Sequence, residues 1–132
     1  MNERSAKQRA DASRASTGHV TAPPKVLLLD DYWSQRESLE ETVADFEPDL
    51  VLVDILRSTF DGVEVVRRVK ASGSRAGVLI ITRECSLEIL KALFPTGEVE
   101  YLIAPFPQQA LAVAANRALN RRDLARRDQG PS

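Results

Sequence analysis

Four polar groups stand where apolar runs stop. Asp30-Asp31 closes Val26-Leu27-Leu28-Leu29, Asp54 closes Leu50-Val51-Leu52-Val53, and Thr82 closes Leu79-Ile80-Ile81. Carboxylates drawn within a few ångströms of one another repel, and their ionised forms share a site only when a cation or basic side chain offsets them. A hard divalent ion is the natural partner: Mg²⁺ prefers oxygen ligands, keeps several waters, and commonly joins one or two carboxylates to a phosphate oxygen. With the charge offset, a carboxylate such as Asp54 can attack an activated phosphoryl group and become an aspartyl phosphate, and a hydroxyl such as Thr82 can bond a phosphoryl oxygen. The bland alternative is that each acid caps a following helix or faces solvent. Three acids at the ends of two separate runs favour a shared site.

The elements that must bring them together are legible in the spacing. Ser34-Gln35-Arg36-Glu37 has the spacing of a capping box, and Leu39, Val43 and Phe46 follow at i, i+4 and i+7, which predicts a helix ending near Pro48. After Asp54 comes a polar loop, Arg57-Ser58-Thr59, and from Gly62 the residues Val65, Val66 and Val69 keep helical spacing until Ser72-Gly73-Ser74. Ser86 is placed to cap a helix carrying Leu87, Leu90, Leu93 and Phe94, stopped by Pro95-Thr96-Gly97. A fourth run, Tyr101-Leu102-Ile103-Ala104, precedes Pro105-Phe106 and a last helix with Leu111, Ala114, Ala115 and Ala118 on one side, which then turns Arg-rich and frays. Four wholly apolar strands alternating with four helices predict an α/β fold, a parallel sheet covered on both faces by right-handed crossovers. In such sheets function collects at the carboxyl ends of the strands, where Asp30, Asp31, Asp54 and Thr82 all fall.

Composition narrows the class. A chain of 132 residues with 43% apolar and 28% charged residues accommodates one soluble domain, and no apolar run approaches the roughly 18 residues of a membrane span. The net charge of −1 hides an asymmetry: residues 25–116 hold 9 Lys/Arg against 15 Asp/Glu, while both ends are basic. An acidic body argues against nucleic acid as the main ligand and suits a cation site. Residues 1–24, polar and ending in Pro23-Pro24, read as a flexible leader, 25–119 as the domain, and 120–132 as a basic, solvated tail. His19 falls in the leader without a second ligand nearby. Cys85 alone cannot build an internal disulfide framework and reads as a small structural hydrophobe, and with no secretory signal segment a reducing cytoplasm fits best.

Taken together, the acidic pair, Asp54, the step Asp61-Gly62, Thr82, Tyr101 and Pro105-Phe106 resemble the receiver domain of two-component response regulators, over roughly residues 25–119. The resemblance implies a flavodoxin-like, CheY-like sheet in which Asp54 is the phosphoacceptor and the donor is a phosphohistidine on a sensor histidine kinase or phosphotransfer protein. It also implies that Asp31, Asp54 and the backbone carbonyl of Leu56 hold Mg²⁺, with Asp30 positioning a water ligand, and that Thr82 and Tyr101 form the switch.

Three departures accompany it. The lysine that the family places before the proline is Ala104, which leaves no cation to bond the phosphoryl group; Arg57 and Arg83 are the candidates to compensate. Between the acidic pair and Asp54 the family places helix, strand and helix, but Tyr32 to Val53 holds one helix. One edge strand and about one helix are therefore absent, leaving an order 1-3-4-5 instead of 2-1-3-4-5, with the first strand exposed as an edge and one face short of a helix. Ser58 replaces the usual proline after Asp54, which should loosen that loop. The Ala104-Pro105 bond is expected to be cis by the same likeness.

The leading functional expectation is an atypical, stand-alone receiver module in phosphorelay signal transduction, a non-enzymatic cytoplasmic phosphoprotein that acts through a downstream protein partner. Neither nucleic acid nor membrane is expected as a partner, and homodimerisation is compatible with the exposed edge. The alternative is a phosphorylation-independent pseudo-receiver binding module. Enzymes of other classes lack support. A dehalogenase-type phosphatase needs an acid at Leu56, a phosphate-binding Gly-rich loop does not occur, and the single His excludes a Ser-His-Asp hydrolase within the domain.

Overall fold

The computed structural model describes residues 22–128. The sheet has four parallel strands, β1 (Val26–Asp30), β2 (Leu50–Asp54), β3 (Gly77–Arg83) and β4 (Glu100–Ala104), in the order β1-β2-β3-β4. The helices are α1 (Leu39–Phe46), α2 (Thr59–Ala71), α3 (Glu84–Leu93) and α4 (Gln108–Asp128), and a short 3-10 turn, Asp31–Gln35, follows β1. This is the α/β fold expected, with the order 1-3-4-5 of a sheet that lacks one edge strand.

The order dictates where the helices go. Each crossover steps to the next strand in one direction, and right-handed connections made in one direction all lie on one face. The core divides accordingly. Leu39, Val43 and Phe46 of α1, the Val63–Val69 stripe of α2, and Leu90 and Phe94 pack on Leu27, Leu29, Val51, Val53, Val78 and Ile80. On the opposite face α4 is the one helix among the described residues, with Ala114 and Ala118 against Leu50, Leu79, Ile81 and Leu102. In a full 2-1-3-4-5 sheet the first crossover steps the other way and puts its helix on the α4 side. The absent helix therefore belongs to that face, and Leu28 of β1 is left 53% exposed there.

Two glycines permit close approach. A Cβ on Gly62 would lie 1.7 Å from Ile55 Cγ2, so only glycine lets α2 settle on the residue after Asp54. A Cβ on Gly77 would meet the Ala118 carbonyl at 2.5 Å, where α4 crosses the start of β3.

Several local readings are corrected. Ser34 does not cap a helix; it lies in the 3-10 turn, and α1 starts after Ser38, whose side chain makes no capping bond. The reason lies in α2: Arg68 hydrogen-bonds the carbonyls of Trp33, Ser34 and Arg36, holding the connection in its turn. Helix α2 begins at Thr59, inside the stretch read as loop, because Ser58 accepts from the Asp61 N–H and caps it. Ser58 thus orders the loop end it was expected to loosen. Helix α3 begins at Glu84, so Ser86 sits inside its first turn, where its hydroxyl lies 2.9 Å from that of Thr59. Cys85 is exposed, not a core residue.

The basic segment after 119 continues α4 to Asp128 instead of fraying. Arg121 pairs with Glu100 at 2.9 Å and Arg122 with Asp49 at 2.8 Å, so its charges serve the fold. Of the leader expected over residues 1–24, residues 1–21 with His19 lie outside the described residues, as do residues 129–132.

Candidate functional site

The carboxyl end of the sheet gathers the expected residues, though unevenly. Asp30 and Asp54 are register partners on adjacent strands and so project from the same face. Asp54 follows a buried run, and its Oδ1 accepts the Leu56 N–H at 3.1 Å, a local turn that fixes the carboxylate and the following loop together. Asp30 Oδ1 accepts the Tyr32 N–H at 3.1 Å and caps the 3-10 turn. Asp31 begins that turn and is buried, facing Arg57 Nε at 4.0 Å.

These carboxylates have the donor chemistry that suits Mg²⁺, all oxygen and all anionic. Among the described residues, however, no three His, Cys, Asp or Glu side chains are grouped closely enough to hold a metal ion. The expected convergence of Asp30, Asp31 and Asp54 into one ready cage is therefore not seen. Each acid has a local partner instead: a backbone N–H for Asp30 and for Asp54, a guanidinium for Asp31. Topology supplies the reason. In doubly wound sheets the binding crevice opens where successive crossovers diverge to opposite faces, and here the connections after β1 and β2 leave on the same side.

Of the two residues expected to form a switch, Thr82 is buried and Tyr101 partly buried, and both turn inward. Thr82 is fully buried, and its hydroxyl donates to the Arg83 carbonyl at 3.3 Å, a long bond that commits it weakly. The Tyr101 hydroxyl reaches the carbonyls of Leu90 at 2.9 Å and Phe94 at 2.5 Å, closing the C-terminal end of α3. Burial, reinforced by the nearby charge of Glu98, pushes its phenol up to about 12. Ala104-Pro105 is cis.

Of the two cations considered as substitutes for lysine, Arg57 is drawn to Asp31, and its side chain is otherwise 81% exposed. Arg83 stands in register with Ala104 on the neighbouring strand and is exposed at the strand end. Three features of this pole were not foreseen. Arg36 stacks on Tyr32 and Trp33, at 5.3 and 5.8 Å from the ring centroids. The Thr59–Ser86 hydroxyl pair ties the loop after Asp54 to α3. Phe60 stands 90% exposed on the first turn of α2, beside the half-buried Asp54 pole. The hydroxyl pair joins residues 27 apart that no local sequence pattern connects.

Two cavities lie at the opposite, amino-terminal pole. One, of about 420 Å³, is lined by Lys70, Arg75, Gly77, Glu98, Arg121 and Arg122 among others. The second, of about 540 Å³, lies between α1 and the Ser72–Arg75 loop. Neither touches the acids.

Comparison with known proteins places these features in context. No protein-family model matches the chain. The response regulator MprA of Mycobacterium sp. (strain KMS) is 30% identical over 129 residues, covering 83% of this chain and 55% of that protein. The regulatory protein AtoC of Escherichia coli (strain K12) is 28% identical over 120 residues, covering 76% of this chain and 26% of its own length. The chain thus spans about half the length of the MprA relatives and less of AtoC. Among solved structures, a response regulator receiver domain protein from Clostridium thermocellum superposes with a TM-score of 0.52 at 22% identity, covering 76% of this chain and 97% of that one. A structure described as an adenylate cyclase from Rhodopirellula baltica gives 0.57 at 18% identity, over 79% and 93%. These two likenesses speak for the fold alone.

Proposed function

Since this chain belongs to the receiver family of two-component response regulators, we propose that it serves phosphorelay signalling as an atypical receiver, accepting a phosphoryl group on Asp54 and acting through a protein partner. The observation that carries this reading is Asp54 itself. It ends β2 in register with Asp30, one oxygen is fixed by the Leu56 N–H, and its other oxygen takes no hydrogen bond among the described residues. A carboxylate held in one orientation with one oxygen unencumbered is positioned for in-line attack on phosphorus.

The donor would be a phosphohistidine on a sensor kinase or phosphotransfer protein, docked at the pole where Tyr32 and Phe60 are exposed. Mg²⁺ would be held by Asp31, Asp54 and the Leu56 carbonyl, with Asp30 positioning a water, and would supply the positive charge that an acidic acceptor and a phosphoryl group need to meet. With Asp31 so engaged, its contact with Arg57 would be released, and the guanidinium would be free to meet phosphoryl oxygens. Arg57, exposed and on the loop that carries the acceptor, is the chain's own candidate to offset the charge in place of the absent lysine.

A second reading, a pseudo-receiver that binds its partner without phosphorylation, is favoured by one specific observation: the ungrouped carboxylates of a sheet without diverging crossovers. Intact mass after incubation with Mg²⁺ and acetyl phosphate separates the two. A labile gain of one phosphoryl group, lost in Asp54→Asn and on chelation, supports acceptor chemistry; an unchanged mass in the folded protein selects the pseudo-receiver. Trp33, beside the acidic pair, provides a parallel reading through its fluorescence response to millimolar Mg²⁺.

A further inference from the structure

Among the described residues, β1 is a sheet edge that nothing covers. Natural edges are blunted by prolines, inward charges, bulges or a covering segment. Val26–Asp30 carries no proline, and its paired register with β2 is continuous from Val26 to Asp30. The segment after it is held away against α2 by Arg68. Leu28, on the face short of a helix, is the most exposed residue of the strand's apolar run.

We propose that the protein forms a two-fold symmetric dimer in which β1 pairs antiparallel with β1 of a second copy, joining two four-stranded sheets into one of eight. The inference rests on the edge and on its sequence, and is independent of whether Asp54 is phosphorylated.

The strand specifies this arrangement over its alternatives. The Lys25 carbonyl accepts from the Asp49 and Leu50 N–H groups, so by the alternation of a parallel ladder Leu27 and Leu29 also turn their backbone towards β2. Val26, Leu28 and Asp30 then direct theirs outward. An antiparallel two-fold centred on Leu28 pairs outward groups only with outward groups: Leu28 with Leu28 of the second copy, and Val26 with Asp30 in both directions.

Slipping the register by two residues in one sense brings in Pro24, which has no N–H. In the other sense it brings in Tyr32, which already belongs to the 3-10 turn. Charge selects the same orientation. The strand starts with Lys25 and ends in Asp30-Asp31, so antiparallel pairing sets the basic start of each copy beside the acidic end of the other, whereas parallel pairing sets like against like. The two-fold axis, perpendicular to the sheet, keeps both Leu28 side chains on the same uncovered face and in contact. Such an interface is isologous and closes at two copies.

The test uses the full chain. Sedimentation equilibrium over a wide concentration range is expected to show a reversible monomer–dimer equilibrium that weakens with salt. Leu28→Lys, at an exposed position that leaves the fold intact by circular dichroism, is expected to weaken it about ten-fold or more by setting two ammonium groups against each other. In a Cys85→Ser background, Leu28→Cys is expected to form an intermolecular disulfide rapidly, because directly opposed antiparallel partners place their Cα atoms about 5.5 Å apart, within disulfide reach. Ile89→Cys, equally exposed on α3, is the control and should not. A protein that stays monomeric at every concentration overturns the proposal, whether the edge is then covered by residues 1–21 or left to solvent. So does Leu28→Cys cross-linking no faster than Ile89→Cys.

Discussion

Arg68 of α2 grips Glu40 of α1 with two hydrogen bonds, Nε to Oε2 at 2.7 Å and Nη2 to Oε1 at 2.5 Å, while its other N–H groups reach the carbonyls of Trp33, Ser34 and Arg36. One guanidinium thereby satisfies a turn that, with one strand and one helix missing, has no sheet neighbour to lean on. Arg68→Ala is expected to cost about 2 kcal/mol of unfolding free energy, more than a typical surface pair, because it orphans the carbonyls as well as the carboxylate. Denaturant unfolding measures it. Arg68→Lys should recover little, since an ammonium cannot reproduce the fork.

The same pair predicts an acid sensitivity. The hydrogen bonds and charge of Arg68 hold Glu40 below its ordinary 4.5. The unfolded chain therefore takes up the Glu40 proton first as pH falls, and in that window stability rises with pH. The contribution is complete above about 4.5 and is lost as pH drops through the lowered value. Glu40 is about half exposed, so solvent screening keeps it under about 1 kcal/mol. Glu40→Gln should flatten that part of the stability–pH curve; an unaltered slope would count against the pair.

Tyr101 predicts the alkaline counterpart. Its neutral phenol is favoured in the folded state, with a pKa pushed to about 12 by burial and by Glu98. Its contribution is whole below the unfolded value of 10 and is lost as pH climbs towards 12. Tyr101→Phe should cost about 1 kcal/mol at neutral pH, through the lost bond to the end of α3, and should remove that alkaline decline.

Gly62 tests the link between the fold and the proposed acceptor. Gly62→Ala drives a methyl into Ile55, immediately after Asp54, and α2 must move away. About 3 kcal/mol of destabilisation is expected in thermal or denaturant unfolding. In the fraction that folds, Asp54 should be less reactive towards acetyl phosphate, because the displaced helix carries the Ile55–Ser58 loop with it.

The strands were legible because fully buried parallel strands are written as unbroken apolar runs, and β1 to β4 follow them closely. The missing edge strand could be read from the short span between Asp31 and Asp54. What could not be read was set by distant partners. Ser34 had the right spacing for a cap, but Arg68, 34 residues on, claims its carbonyl. Glu100, buried in β4, gave no sign that Arg117 and Arg121 would answer it and prolong α4 past the expected boundary. At the acidic pole the identities Asp30, Asp31 and Asp54 were visible, but their grouping depends on where the crossovers diverge.

Glu100 makes the cost of that extension measurable. The residue is 8% exposed, and its carboxylate is met by Arg121 at 2.9 Å and Arg117 at 3.6 Å. Arg117→Ala with Arg121→Ala leaves a buried charge without a partner and is expected to cost about 3 kcal/mol, whereas adding Glu100→Leu should return most of it. If the double variant unfolds like the parent, residues after 119 are the solvated tail their composition suggested.

Ala104→Lys restores the cation that the resemblance leads one to expect. Its ammonium would project at the carboxyl end of β4, where Arg57 and Arg83 are the candidate cations for a phosphoryl group on Asp54, and charge-assisted bonds to that group should raise the phosphorylated fraction several-fold. The new lysine stands in register with Arg83, and two like charges side by side on adjacent strands should cost about 0.5 kcal/mol of stability. Arg83→Ser in the same chain should relieve that cost and leave the gain in phosphorylation intact. Intact mass and denaturant unfolding follow the two effects separately. Should Ala104→Lys fold normally and still take up no phosphoryl group from acetyl phosphate, the missing lysine is not what limits this site, and the ungrouped carboxylates are.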